Sequence, residues 1–380
     1  MKIMHICLAS SYTEGMAYQD NLLPDQNAVD GHEVLVASDC TRFENGVLTT
    51  TPPEDKLLPN GIRLVRLPFD FIFTTFISDK IRKTKLLKPL IYEFYPDVIL
   101  FHGLCAWELL TVAQYKQEHP KVRFYTDSHG DFGNSAKNFL SKNILHRIYY
   151  RLILRKAYPQ IDKIFLINLE NEDFIKQMYG LPSHKMEYIS PGGFIPNDDD
   201  WSFARQKIRG KLGLSPNDVL FVHSGKLDRL KRTEELLRAF SSVKDSSFHL
   251  VIIGSIPNDM QKILLPLIEA DGRIQYLGWK LADELIEYLC ACDLYVQPGS
   301  QSATMNTAMC CKAPVMLQPR KNHQPFLNGN GWFVESEDDI ARVFAEISGN
   351  PQILKQMSEN STKIVCEILD FKKIAARLYD

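Results

Sequence analysis

Short β-branched or aliphatic runs ending in Gly, Ser, Asp or Asn alternate with helical patterns along nearly the whole chain. That alternation narrows the fold more than any other feature, because strand and helix in turn specify parallel sheets covered by helices, an α/β doubly wound architecture. Strands are expected at 3–8, 33–37, 62–66, 98–101, 123–126, 163–167 and 186–189, and again at 219–223, 249–253, 274–277, 294–297, 315–317 and 332–334. Between the later strands, Leu236, Phe240 and Val243, then Leu281, Leu285 and Leu289, recur at helical spacing and read as core stripes. Residues 190–202 concentrate Pro, Gly, Asn and Asp, the composition of an interdomain linker. A length of 380 residues then reads as two units of roughly 190.

Composition excludes several classes. A net charge of −2 leaves no field to draw nucleic acid. Eight cysteines without a C-x-x-C pair argue against a zinc site or disulfide framework and for reduced, mostly buried thiols in a cytosol. MKIMHICLAS reads as a first strand and not a signal peptide. The apolar run 69–77 is half of the ~20 residues a transmembrane helix needs, so a cytoplasmic location is expected.

In open parallel sheets, ligands bind beyond the carboxyl ends of the strands. Four loops there carry unusual residues. In GKLDRLKR, Lys226 and Lys231 can neutralise a diphosphate and Gly225 lets the backbone approach; the plain alternative is a solvated basic loop. PGSQSATMNT, with Ser302, Thr304, Asn306 and Thr307, supplies hydroxyls and amides for sugar or phosphate oxygens, unless it is only a helix cap. His129, between Asp127 and Gly130, could shuttle a proton or orient a hydroxyl, and a structural role is equally open. Gly15 could admit a substrate or simply serve a turn. Asp198, Asp199 and Asp200 contain D-x-D but fall in the linker and read as a solvated acidic stretch; Cys310 and Cys311 read as core.

Two basic segments interleaved with apolar residues, 80–88 and the acid-free 137–156, fit either a helix packed on its sheet or contact with an anionic membrane surface.

These motifs, in this order, resemble the family 4 glycosyltransferases, retaining enzymes of the GT-B fold. The family's G-R-x-x-x-x-K-G signature is matched by Gly225-Lys226 and Lys231-Arg232, and YLGWKLADELIEYLCACDLYVQPG (276–299) is similar to its base-pocket region, with Leu277, Trp279 and Leu281 in the wall. Residues 15–24 and 31–38 resemble its first loop and second strand, and 190–193 the turn ending its first domain; His129 falls where the family often has a histidine near the reacting sugar. One departure is plain: the E-x7-E pair is absent, its positions falling on Ser302 and Thr307, five residues apart.

The resemblance implies two Rossmann-like domains facing a cleft: 1–192 with a returning C-terminal helix at about 362–380 for the acceptor, and 193–361 for the donor. It implies transfer of a sugar, with retention, from a nucleotide-sugar donor to a glycan or lipid-linked acceptor hydroxyl, in surface polysaccharide or glycoconjugate synthesis. Lys226 and Lys231 would stabilise the departing diphosphate, so no metal or cofactor is expected. Peripheral contact with an anionic membrane, on its inner face, is the further partner expected. Loss of the paired glutamates also fits a catalytically silent partner subunit that binds glycan or nucleotide, and the same fold could serve a nucleotide-sugar epimerase.

Overall fold

The computed structural model describes residues 1–16, 18–44, 47–302 and 304–379. They form two compact units: residues 1–191 with the segment from Phe371 onward, and Gly192–Asp370.

The first unit contains β1 (Lys2–Cys7), β2 (Glu33–Ser38), β3 (Thr41–Glu44), β4 (Val47–Thr50), β5 (Glu54–Leu57), β6 (Arg63–Arg66), β7 (Val98–Phe101), β8 (Arg123–Ser128), β9 (Lys163–Leu166) and β10 (Met186–Tyr188). Eight of these build a sheet in the order β10-β9-β8-β7-β1-β2-β6-β5, parallel throughout except at the β5–β6 edge. The central strands KIMHIC and VILF are almost wholly buried, as a sheet covered on both faces requires. The second unit contains β11 (Val219–Lys226), β12 (Phe248–Ser255), β13 (Ile274–Tyr276), β14 (Leu294–Gln297), β15 (Val315–Leu317) and β16 (Gly331–Phe333). Its sheet runs β13-β12-β11-β14-β15-β16, all parallel.

Each sheet therefore has one point where strand order reverses: between β1 and β7 in the first unit, and between β11 and β14 in the second. Helix connections leave in opposite directions there, which opens a crevice at the strands' carboxyl ends.

Every strand expected from the sequence forms, and β3, β4 and β5 form in addition. Those three lie on the surface, with no buried residue and no apolar run to mark them. The linker reading of 190–202 is too long at its far end. The helix Asp198–Lys211 begins inside it, capped by the Asn197 side chain accepting from the Asp200 N–H at 2.8 Å. Asp198, Asp199 and Asp200 thus occupy a first helical turn, where carboxylates complement the helix dipole. The helix Ile353–Ile368 belongs to the second unit, and the return to the first begins at Phe371 rather than about 362. Ile374, Ala375 and Leu378 then complete a core with Ile3, Leu23, Val98 and Leu100.

Candidate functional site

In the second unit, the sequence-selected loops meet at the reversal point. Gly225 and Lys226 are the last residues of β11 itself, paired with Gly254 and Ser255 of β12. A Cβ at Gly254 would fall 1.8 Å from the Gly225 carbonyl oxygen, so the strand ends approach as only glycine permits. Beyond them Asp228 caps the short turn Arg229–Lys231, its carboxylate accepting from the Leu230 N–H at 3.1 Å. Arg232 follows in the left-handed conformation at φ 56°, where the resembled signature has glycine.

Lys231 is buried, and its Nζ donates to the carbonyls of Ser300 at 2.7 Å and Gln301 at 3.2 Å. The Ser300 N–H donates to the Leu230 carbonyl at 2.7 Å, and a side chain on Gly299 would collide with that oxygen at 2.1 Å. The loops after β11 and β14 are thereby one construction. Two of the three Lys231 donors hold the neighbouring loop, leaving one for a ligand; burial lowers this ammonium from the usual lysine range. Lys226 is exposed at the strand end.

Ser302 is turned inward: its hydroxyl donates to Gln297 Oε1 at 2.8 Å and lies 3.4 Å from the Tyr295 hydroxyl, which is 3.1 Å from Ser224. Thr304, Asn306 and Thr307 sit on the short helix Thr304–Cys310 that follows. Asn306 Oδ1 and Gln297 Nε2 are buried polar atoms without hydrogen-bond partners, a cost that a ligand hydroxyl, able to donate to one or accept from the other, would remove. Leu277 lies after β13, and Trp279 and Leu281 project into solvent at 72% and 70% exposure. The Gly254 N–H donating to the Gly278 carbonyl at 2.8 Å ties that loop to the same strand ends.

His223, not singled out from the sequence, supports this arrangement. Its Nδ1 donates to the Val296 carbonyl at 2.7 Å and its Nε2 accepts from the Thr233 hydroxyl at 2.9 Å. Both ring nitrogens are thus used in the neutral form, which burial favours by pushing its pKa down to about 4.

In the first unit, Gly15 adopts φ +75°, a conformation that favours glycine, with nothing within 4 Å of where a Cβ would stand. His129 follows β8, half exposed, with Nε2 3.8 Å from Asp127 Oδ1. Behind it lie Asp127, named from the sequence only as a neighbour, and His102 and Asp20, which were not singled out. Asp127 Oδ2 is 2.7 Å from His102 Nδ1, Asp127 Oδ1 accepts the Gly103 N–H at 2.7 Å, and Asp20 Oδ1 is 3.3 Å from His102 Nδ1. The clue was His102-Gly103 directly after β7, at the reversal point. Asp20, His102 and Asp127 each offer an atom within 4.8 Å of the others. Asp127 and His102 are close enough to form a hydrogen-bonded ion pair.

Residues 217–349 match the family described as glycosyl transferases group 1. The chain is 22% identical over 280 residues to the alpha-galactosylglucosyldiacylglycerol synthase of Streptococcus pneumoniae, covering 70% of this chain and 72% of that one. It is 22% identical over 368 residues to the alpha-monoglucosyldiacylglycerol synthase of Acholeplasma laidlawii, covering 87% and 84%. Among solved structures, Anabaena HepE in complex with UDP superposes with a TM-score of 0.64 at 16% identity, over 99% of this chain and 98% of that one, a likeness of fold.

Proposed function

We propose, from the premise that this chain is a glycosyltransferase of the GT-B fold whose second unit is a glycosyl transferases group 1 domain, that it moves a hexose from a UDP-sugar to a glycolipid hydroxyl, with retention, at the inner face of a membrane. The observation that carries the donor half is the joining of the β11 and β14 loops through Lys231 and Gly299 at the reversal point. Lys226 and the remaining Lys231 donor would face the diphosphate and stabilise the charge that develops as it leaves. Two such cations make a metal unnecessary. Trp279 and Leu281 supply an apolar wall for the base, and the unpartnered Asn306 and Gln297 atoms suit sugar hydroxyls. HepE, solved with UDP, supports the choice of base.

The acceptor half is supported by the names of the relatives, both diacylglycerol glycolipid synthases, and by the surface of the first unit. No helix among the described residues is long and apolar enough to cross a membrane. Instead, the segment wound as a π-helix at Ser141–Tyr150 and continued as an α-helix at Arg151–Ala157 buries His146, Tyr150, Ile153 and Leu154 while leaving a second apolar set in water. Leu140, Ile144, Ile148 and Leu152 are 65%, 51%, 55% and 55% exposed, at a spacing of four residues. The Tyr150 hydroxyl donates to the Lys80 carbonyl at 2.6 Å, which sets the other basic segment alongside. Just before that segment, Phe71, Phe73 and Phe76 are exposed too. Exposed aromatics and aliphatics among lysines and arginines suit an anionic bilayer surface.

The test is release of UDP from UDP-glucose or UDP-galactose in the presence of vesicles containing a monoglycosyldiacylglycerol acceptor. Lys226→Ala is expected to lower kcat about 100-fold with an unchanged melting temperature. Wild-type transfer by that variant would sink the assignment. Stabilisation of the wild-type protein by UDP, without turnover of any UDP- or GDP-sugar, would favour the silent-partner reading.

A further inference from the structure

The reversal point of the first unit contains a chain of polar side chains running from its buried interior to its surface. Asn27 Oδ1 is 2.8 Å from His5 Nε2, His5 Nδ1 is 3.0 Å from His102 Nε2, and His102 Nδ1 is 2.7 Å from Asp127 Oδ2. His5, Asn27, His102 and Asp127 are all essentially inaccessible to solvent. With Asn27 Oδ1 accepting, His5 carries its proton on Nε2 and presents a lone pair at Nδ1. His102 must then donate through Nε2, and it must also donate through Nδ1, because a carboxylate only accepts. An imidazole donating at both nitrogens is an imidazolium, and two carboxylates, Asp127 and Asp20, lie within 3.3 Å of its Nδ1 to balance it. Burying so many polar groups is costly unless every partner is fixed. What this one fixes is Asp127, whose second oxygen holds the Gly103 N–H and faces His129. Gly103, at φ +92°, is itself packed so that a Cβ would meet the Ala9 side chain at 2.9 Å, which ties in the loop after β1.

We propose that Asp127 is a positioning residue for His129, anchored from behind by a doubly donating His102, so that the half-exposed imidazole is aimed by groups that never touch substrate. The charged groups facing His129 are Asp127 and Asp20, which favour its protonated form, and His102, which opposes it; burial also opposes it, and the carboxylates prevail. Further support comes from the turn that follows, where Asp131 accepts the Asn134 N–H at 2.9 Å and the Asn134 side chain donates to the His129 carbonyl at 2.7 Å, so the histidine is held at its backbone as well. That His129 acts on substrate rests on the function proposed above; its orientation by Asp127 does not.

The experiment is histidine ¹⁵N NMR on the full chain across pH, with His102→Gln and His129→Gln used for assignment. His102 is expected to show two protonated nitrogens at pH 7. His129 is expected to titrate above the ordinary histidine value, and Asp127→Asn to lower that midpoint by about one pH unit or more. The same variant should lose kcat about tenfold or more, with its pH profile shifted by the same amount and donor KM little changed. A neutral His102, as a reversed Asn27 amide would produce, or a His129 midpoint indifferent to Asp127→Asn, would overturn the proposal. If Asp127→Asn does not fold, Asp20→Asn replaces it: Asp20 is partly exposed, and its removal should lower the His129 midpoint by a smaller amount, an unmoved midpoint again counting against. A wild-type chain without transferase activity would remove the catalytic role while leaving the titration result to stand.

Discussion

Asp127 and His102 are separated by 25 residues, yet one pair of side chains ties β7 to β8 and gives the first unit a pH signature. Burial by itself would raise the Asp127 carboxyl, but His102 beside it overcomes this and holds it far below the usual carboxylate range. Burial would likewise lower His102, and Asp127 with Asp20 instead raise it to about 9. A depressed carboxyl contributes stability that is complete above its unfolded value near 4 and is lost as pH falls. A raised histidine contributes stability that is complete below about 6.5 and is lost as pH rises through about 9. The pair therefore stabilises fully between roughly pH 4 and 6.5, and the alkaline loss is on the order of 3 kcal/mol. Thermal melts of wild type and His102→Gln from pH 5 to 10 should show their difference shrinking between about 6.5 and 9. A difference constant across that range would refute the assigned charge. None of this was legible in the sequence, because a histidine at a strand end carries no mark of which carboxylate will reach it.

At the scale of the element, legibility followed burial. Strands such as KIMHIC and VLFVHS announced themselves because both faces are covered and four residues in six are apolar. The surface strands β3 to β5 lacked that signal. The loops after β11 and β14 were legible as strand-to-helix connections rich in cations and hydroxyls, but not their mutual attachment: nothing in GKLDRLKR says that Lys231 will direct two donors to Ser300 and Gln301. The basic segment 137–156 was ambiguous for a different reason. Its apolar residues serve two faces, one packed through Tyr150 and Leu154 and one left in solvent at Ile144 and Ile148, and composition cannot separate them. That second face carries a prediction. Each basic residue near an anionic surface contributes about 1 kcal/mol, and the half-exposed isoleucines would add a comparable amount on insertion. The double variant Ile144→Ser, Ile148→Ser should bind phosphatidylglycerol vesicles about tenfold or more weakly in co-sedimentation, while raised salt weakens both proteins. Equal binding by variant and wild type would show that this face does not enter the bilayer.

The whole molecule is neutral on average but not uniform, since a net charge of −2 includes a twenty-residue stretch with no acid. It is also not two consecutive halves. The chain leaves the first unit near residue 191, completes the second by Asp370, and returns to finish the core it began. Ile374 and Leu378, almost wholly buried, pack with Ile3 of β1, Val98 and Leu100 of β7 and Phe165 of β9, so the last residues of the chain cover the strands at the first unit's reversal point. Removing the side-chain volume at Leu378 should cost about 2–5 kcal/mol, the range for a large aliphatic truncated to alanine in a core. That loss should fall on one unit. In Leu378→Ala, hydrogen exchange by mass spectrometry is expected to show faster exchange in peptides covering β1, β7 and β8, with β11, β12 and β14 protected as in wild type, and UDP-induced protection of the second unit retained. Because His5 lies in β1 and His102 directly follows β7, the same variant should also broaden or shift the His129 resonance without any change near the loops after β11 and β14. Uniform loss of protection across both sheets would mean that they unfold as one cooperative unit, and unchanged exchange at β1 and β7 would mean that the returning segment is an ornament on a core already complete without it.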